Sequence, residues 1–191
     1  GLEKVESGQV LRNGKEIKTP LQAIDSGIGY ISKNRDTEAL ILDGSIADNI
    51  VLPSIPYLIN HTYISPKKEK EMADHEIDAF RIKCRDGSQY VNTLSGGNKQ
   101  KVSFAKWTAR DSEVIIMDCP TRGVDIGVKQ AMYGLIEQMK KDGKAVLMIS
   151  EELSELLGMA DRIIIMKDFK VTGEFSRSPE LKQTDIIEYM I

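Results

Sequence analysis

The segment Leu94-Ser95-Gly96-Gly97-Asn98-Lys99-Gln100-Lys101 sets a hydroxyl and two residues without side chains just ahead of an apolar pattern with helical spacing. The first N–H groups of a helix have no partner inside it and carry the positive end of its dipole. Glycines there let an anion such as phosphate reach the backbone. Ser-Gly-Gly is also an ordinary start for a helix, and the segment alone leaves these two readings level. A second feature follows it closely. Val114-Ile115-Ile116-Met117-Asp118 is a hydrophobic strand that ends in a carboxylate. At the carboxyl end of a parallel strand, Asp118 would face the crevice where α/β sheets bind ligands, and there it could hold Mg²⁺ through water. The alternative is a turn residue ahead of Pro120. The pair of features is more specific than either part.

Periodicity predicts the elements that must position these residues. After Gly97 a helix runs to about Ala109, with Val102, Ala105 and Ala109 on one face. Residues 113–117, 145–149 and 162–166 then read as strands, alternating with helices at 128–140 and 151–158. That alternation predicts a parallel sheet with helices on both faces. Upstream, residues 8–17 read as a β-hairpin about Asn13-Gly14, 28–32 as a short strand and 33–38 as a charged surface loop. Ile46, Asn49 and Ile50 suggest one or two helical turns before Pro53 and Pro56, and Pro66 opens a long polar helix. A hairpin over 164–175 that turns at Asp168, and a helix near 179–191, complete the chain.

The chain has 191 residues, 41% hydrophobic and 29% charged, the balance of a globular domain that needs no metal or disulfide to form a core. Its 26 basic and 29 acidic side chains leave a formal charge of -3, so there is no basic field to hold a nucleic acid and no such partner is expected. No apolar stretch approaches the ~20 residues needed to cross a bilayer. Two cysteines, Cys84 and Cys119, sit far apart and suggest neither a zinc site nor a disulfide framework. Asn60-His61-Thr62 matches a glycosylation acceptor by chance. The sequence opens on Gly1 and reads from the middle of something, so a fragment of a longer protein is expected.

The strings LSGGNKQK, VIIMDCPTRGVDIG and VLMISEELSELLGMADRIIIM resemble the nucleotide-binding domain of ATP-binding cassette transporters. The likeness is greatest to the second, C-terminal cassette of the double-cassette ATPases of simple-sugar importers of the ribose and galactoside type. The resemblance implies an α/β fold of the P-loop NTPase kind, a mixed sheet flanked by helices with a helical subdomain, here lacking its phosphate-loop strand and helix. It implies one partial domain: an N-terminal hairpin and strand (1–34), a helical subdomain with the signature motif (35–110) and a C-terminal α/β part (111–191). By the same resemblance Leu94 to Gln100 is the signature, Asp118 the Walker B aspartate and Mg²⁺ ligand, and Thr121 to Asp125 the D-loop. ATP would meet Ser95, Gly96, Gly97, Asn98 and Asp125. The implied partners are another cassette, the permease subunits that the helical subdomain meets and, indirectly, a periplasmic or lipoprotein sugar-binding protein. The implied place is the cytoplasmic face of the membrane, as a peripheral component.

Departures from the family pattern are as informative. The Gly-rich phosphate loop is not among these residues, and Gly1-Leu2 stand about where its helix would end. Cys119 occupies the place of the glutamate that orients the attacking water, Ser150 that of the switch histidine and Lys33 that of the Q-loop glutamine. No catalytic residue of the chain's own is therefore expected. In cassette dimers each ATP lies between the Walker motifs of one domain and the signature of the other, so Ser95, Gly96 and Gly97 are expected to close over an ATP held by a partner cassette. Without its central strand the fragment is also expected to cover an open edge by self-association or rearrangement. A cassette ATPase outside transport and a noncatalytic scaffold module are the alternatives. The acidic balance weighs against the first, the intact signature against the second.

Overall fold

The computed structural model describes residues 5–60 and 63–190. Gly1 to Lys4 of the opening segment, His61 and Thr62 of the glycosylation-like string, and Ile191 of the expected last helix lie outside them. The chain divides into two compact units between Leu147 and Met148.

The first unit opens with β1 (Leu11–Arg12) and β2 (Lys15–Glu16), an antiparallel pair closed by Asn13 at φ 50 and Gly14 at φ 76. This is the left-handed turn that Asn-Gly favours. Helix α1 (Pro20–Asp25) follows, unforeseen from periodicity because it is short. Its signal is Thr19-Pro20: Thr19 Oγ1 accepts the Gln22 N–H at 3.2 Å, and proline's fixed φ suits the first helical position. Strand β3 (Ile28–Ile31) leads into residues 33–38, expected as a plain surface loop. That expectation is corrected: Arg35–Ala39 winds into a π-helical turn, and Glu38 gathers the Ser32 hydroxyl and Asn34 Nδ2.

Helix α2 (Ile46–Val51) starts at a capping box between Ser45 and Asp48. Its Asn49 is fully buried, and its amide takes up the Ile41 N–H and C=O and the Ser45 C=O, so the segment before the helix is tied to it. Pro53 and Pro56 break the chain into a 3₁₀ turn and α3 (Ile55–Leu58). An unexpected small antiparallel pair, β4 (Ile59–Asn60) and β5 (Tyr63–Ile64), precedes α4 (Pro66–Ala79). Then come α5 (Gly96–Ala109), β6 (Val114–Asp118), α6 (Ile126–Lys141) and β7 (Ala145–Ile149), whose last two residues fall beyond the division.

The three-stranded sheet runs β3-β6-β7. β3 and β6 are parallel, with Ile28 opposite Val114 and Ile31 opposite Met117. Among the described residues this sheet ends at β7, whose Leu147 is 54% exposed. Helix α5 buries Val102, Phe104, Ala105 and Trp107. It packs against β3 so closely that a Cβ on Gly29 would stand 3.0 Å from the Cβ and two ring carbons of Trp107.

The second unit holds α7 (Leu153–Met159), an antiparallel pair β8 (Arg162–Lys167) and β9 (Lys170–Ser176), and α8 (Gln183–Ile187). The hairpin turns at Asp168 and Phe169, both with positive φ. Ile163, Ile165 and Ile186 form its core, and the rings of Phe175 and Tyr189 meet edge to face at 5.1 Å. The final helix is shorter than the 179–191 expected, because it starts only where Asp185 turns back to the Lys182 N–H.

Two predictions follow from this packing. Gly29→Ala forces the Trp107 side chain or β3 to move, and chemical denaturation should read a loss of about 1–3 kcal/mol. In α4, Glu76 is buried, with Oε2 lacking a hydrogen-bond partner. Burial pushes its carboxyl up to about 7 from 4.5, against the opposing charge of Lys144. The folded value exceeds the unfolded one, so ionisation in the folded state costs stability progressively as pH rises from about 4.5 to about 7. Glu76→Gln should raise Tm at pH 8 relative to wild type and leave it nearly unchanged at pH 4.5; an equal shift at both would contradict the assignment.

Candidate functional site

Parallel pairing brings the carboxyl ends of β3 and β6 to the same side of the sheet. From β3 the chain passes into the Arg35–Ala39 turn, and from β6 it passes through Asp118 to Asp125, the N-cap of α6. The start of α5 meets both segments. A Cβ on Gly96 would lie 2.9 Å from an Arg35 guanidinium nitrogen and 4.0 Å from the Gly123 carbonyl. A Cβ on Gly97 would lie 2.9 Å from a Val128 methyl in the first turn of α6. A Cβ at Gly97 would collide with Val128, while one at Gly96 would displace the end of the Arg35 side chain; with glycine at both positions the backbone at the helix start is bare.

Ser95 occupies the N-cap position of α5, but its side chain caps no amide of the helix. The N–H groups of Gly96, Gly97 and Asn98 accordingly have no intrahelical acceptor. Instead the Ser95 hydroxyl oxygen accepts from Asn98 Nδ2 at 3.0 Å, and Asn98 Oδ1 is itself held by the Lys83 N–H at 2.9 Å. With its oxygen engaged by a fixed donor, the exposed Ser95 hydroxyl has its own hydrogen left to give. Hydroxyl, amides and helix dipole together make an electropositive surface complementary to a phosphate oxygen.

The remaining expected residues are placed less uniformly. Asp125 is at the interface of these segments, but its carboxylate accepts the Val128 N–H at 2.9 Å and so fixes α6. Asp118 lies at the end of β6, where the Tyr30 hydroxyl donates to its Oδ2 at 3.4 Å. Burial and the Asp118 charge both raise the Tyr30 phenol above its ordinary value, so it remains a donor at neutral pH. Cys119 is buried with φ 45, and its carbonyl accepts the Arg122 N–H at 3.0 Å to close the turn after β6. In the second unit, Ser150 donates to the Glu155 carboxylate and accepts the Glu152 N–H at 3.0 Å, a local turn before α7. Among the described residues no cluster of three or more His, Cys, Asp or Glu could cage a metal. A Mg²⁺ shared between one carboxylate, water and phosphates needs no such cage.

Arg35, Tyr30 and Val128 escape sequence reasoning. Arg35 sits in an aperiodic charged stretch that reads as solvated surface, and Val128 reads only as part of a helix. The approach of α5 gives Arg35 and Val128 their roles, and the pairing of β3 with β6 gives Tyr30 its own.

Residues 1–122 match the family model described as ABC transporter. The chain is 40% identical over 190 residues to the ribose import ATP-binding protein RbsA of Lactococcus lactis subsp. cremoris (strain SK11), covering 98% of this chain and 38% of that protein. It is 39% identical over 189 residues to a putative ribose/galactose/methyl galactoside import ATP-binding protein of Rhizobium etli, covering 98% and 36%. The chain thus spans well under half the length of these relatives. Among solved structures, an ATP-binding cassette dimer in a post-hydrolysis state with ADP and Pi superposes with a TM-score of 0.77 at 23% identity, over 92% of this chain and 75% of that one. A second cassette of an ABC transporter gives 0.81 at 19% identity, over 100% and 79%. Those two likenesses concern the fold. With the family model covering more than half of its residues, the chain belongs to the ABC transporter family.

Proposed function

We propose that the chain is the degenerate second cassette of a simple-sugar import ATPase, and that it supplies its signature segment to an ATP held by a partner cassette. The observation that carries this is the outward state of Ser95 at a helix start with bare glycine backbone. An N-cap serving only α5 would turn its oxygen onto a backbone amide of the first turn; this one takes the side-chain amide of Asn98 instead and leaves those backbone amides uncapped. Bare backbone and a hydroxyl hydrogen fit the terminal phosphate of ATP, whose developing negative charge they would stabilise in the reaction. The chain's own residues do no more than bind and orient at that surface: Ser95 donates, the amides of Gly96 and Gly97 face the phosphate, and Asn98 keeps the serine in place.

At the positions that the family resemblance assigns to catalysis, the chain is poorly equipped for chemistry. Cys119 is not a carboxylate base, the Ser150 hydroxyl is committed to Glu155, and Lys33 cannot serve as a neutral oxygen ligand for Mg²⁺. Asp118 could still hold Mg²⁺ through water, with Tyr30 on one of its oxygens. The names of the relatives, import ATP-binding proteins for ribose and galactosides, support sugar import as the process. In that setting residues 35–110 form the subdomain that meets the permease subunits, and the assembly sits at the cytoplasmic face with a sugar-binding protein as its indirect partner.

Two outcomes are expected. Isothermal titration of the 191-residue chain with Mg-ATP should show no micromolar binding, and Cys119→Glu should create no hydrolysis, because these residues include no Gly-rich loop with a lysine for the β- and γ-phosphates. Micromolar affinity would overturn this. In the complete ATPase that carries the chain, Ser95→Arg should lower steady-state ATP turnover by about 10²- to 10³-fold, since it removes a donor and obstructs closure. Asp118→Asn should have a mild effect. The reverse order would mean that this cassette owns the active site.

A further inference from the structure

Arg35 lies where three segments converge. One terminal nitrogen of its guanidinium donates to the Arg122 carbonyl at 3.1 Å. The other lies 2.9 Å from the point a Gly96 Cβ would occupy and 3.9 Å from that of Gly123. Its Nε is buried and has no hydrogen-bond partner, with Asp36 Oδ1 3.9 Å away. The side chain as a whole is 18% exposed, so a permanently charged group is kept largely out of water beside the positive end of α5. Such placement opposes both desolvation and the dipole, and persists only if the surrounding structure fixes it. The turn that carries Arg35 is fixed at two further points: Asp36 pairs with Lys99 at 3.1 Å, and the Ala39 carbonyl accepts from Lys106 Nζ at 2.9 Å, both cations belonging to α5.

We propose that Arg35 is a positioning residue that registers the signature backbone at Gly96 against the Arg122-Gly123 backbone, so that both present one preformed face to the partner cassette's nucleotide. The proposal rests on the trans-acting reading above and deepens it. The planar fork of the guanidinium is what the geometry requires, since one nitrogen holds the Arg122 carbonyl while the other fills the space beside the Gly96 Cα. A lysine ammonium is a point donor on a flexible stem and cannot do both. Because the Arg35–Ala39 turn continues directly from Lys33, a displacement of that loop moves the signature and the Arg122-Gly123 segment together rather than separately.

The test uses the complete ATPase that carries this chain. Arg35→Ala should lower kcat by about ten- to a hundredfold with KM for Mg-ATP little changed, the cost of a misplaced reacting geometry rather than of lost binding. Millimolar guanidinium ion should restore part of that kcat, Arg35→Lys should stay impaired, and Tm should remain close to wild type. An unchanged kcat in Arg35→Ala, with Ser95→Arg still severe, would overturn the positioning role and leave the trans-acting signature standing. Mild effects of both would overturn the reading beneath it. A fall in kcat without rescue by guanidinium would assign the loss to general loosening and would also overturn the proposal.

Discussion

The parallel pairing of β3 with β6 is the constraint on which the rest of the site depends. Antiparallel neighbours would send their following segments to opposite ends of the sheet; parallel ones release them side by side. Only then can the turn after Ile31 and the turn after Asp118 both reach the start of α5. That pairing is in turn held at a fixed distance from α5 by Gly29, whose missing side chain lets Trp107 lie against the strand. The position of the surface proposed to face a phosphate is thus decided by packing in the core.

Charge is arranged around that position with little slack. Arg35 and Lys99 both lean on Asp36, whose carboxylate is the acidic partner of each. The start of α5 adds its dipole to the same side. Buried titratable groups elsewhere in the unit are less comfortable: Glu76 is pushed up by desolvation, and Lys106 is pushed down by burial while it donates to Ala39. Such groups cost stability, and the Lys106 contact shows what this one secures, a fixed end to the turn that carries Arg35.

Much of this was legible in the residues. Asn13-Gly14, Pro66, and the apolar runs 114–117 and 162–166 each carry a local signal strong enough to fix an element, and tertiary packing did not overrule them. The signature and the carboxylate at Asp118 were equally plain, because their chemistry is local in sequence. What stayed hidden is what depends on approach. The π-helical turn over Arg35–Ala39 has no apolar period, since its fold is set by the Glu38 bonds and by lysines of α5 far along the chain. The pair β4 and β5 is too short to register as alternation. The proposed anion surface at Ser95 draws its support from Asn98 and Lys83, a hydrogen-bond chain no spacing reveals.

Cys119 has a left-handed backbone that non-glycine residues adopt at a cost of roughly 1–2 kcal/mol, directly before Pro120. The bend at the end of β6 is closed through the main chain, by the Cys119 carbonyl and the Arg122 amide. A corner closed in this way delivers the residues after Pro120 to a defined place. The loss of a catalytic group proposed for this position would therefore leave a main-chain hydrogen bond to keep the corner, and a neighbouring domain could go on relying on its shape.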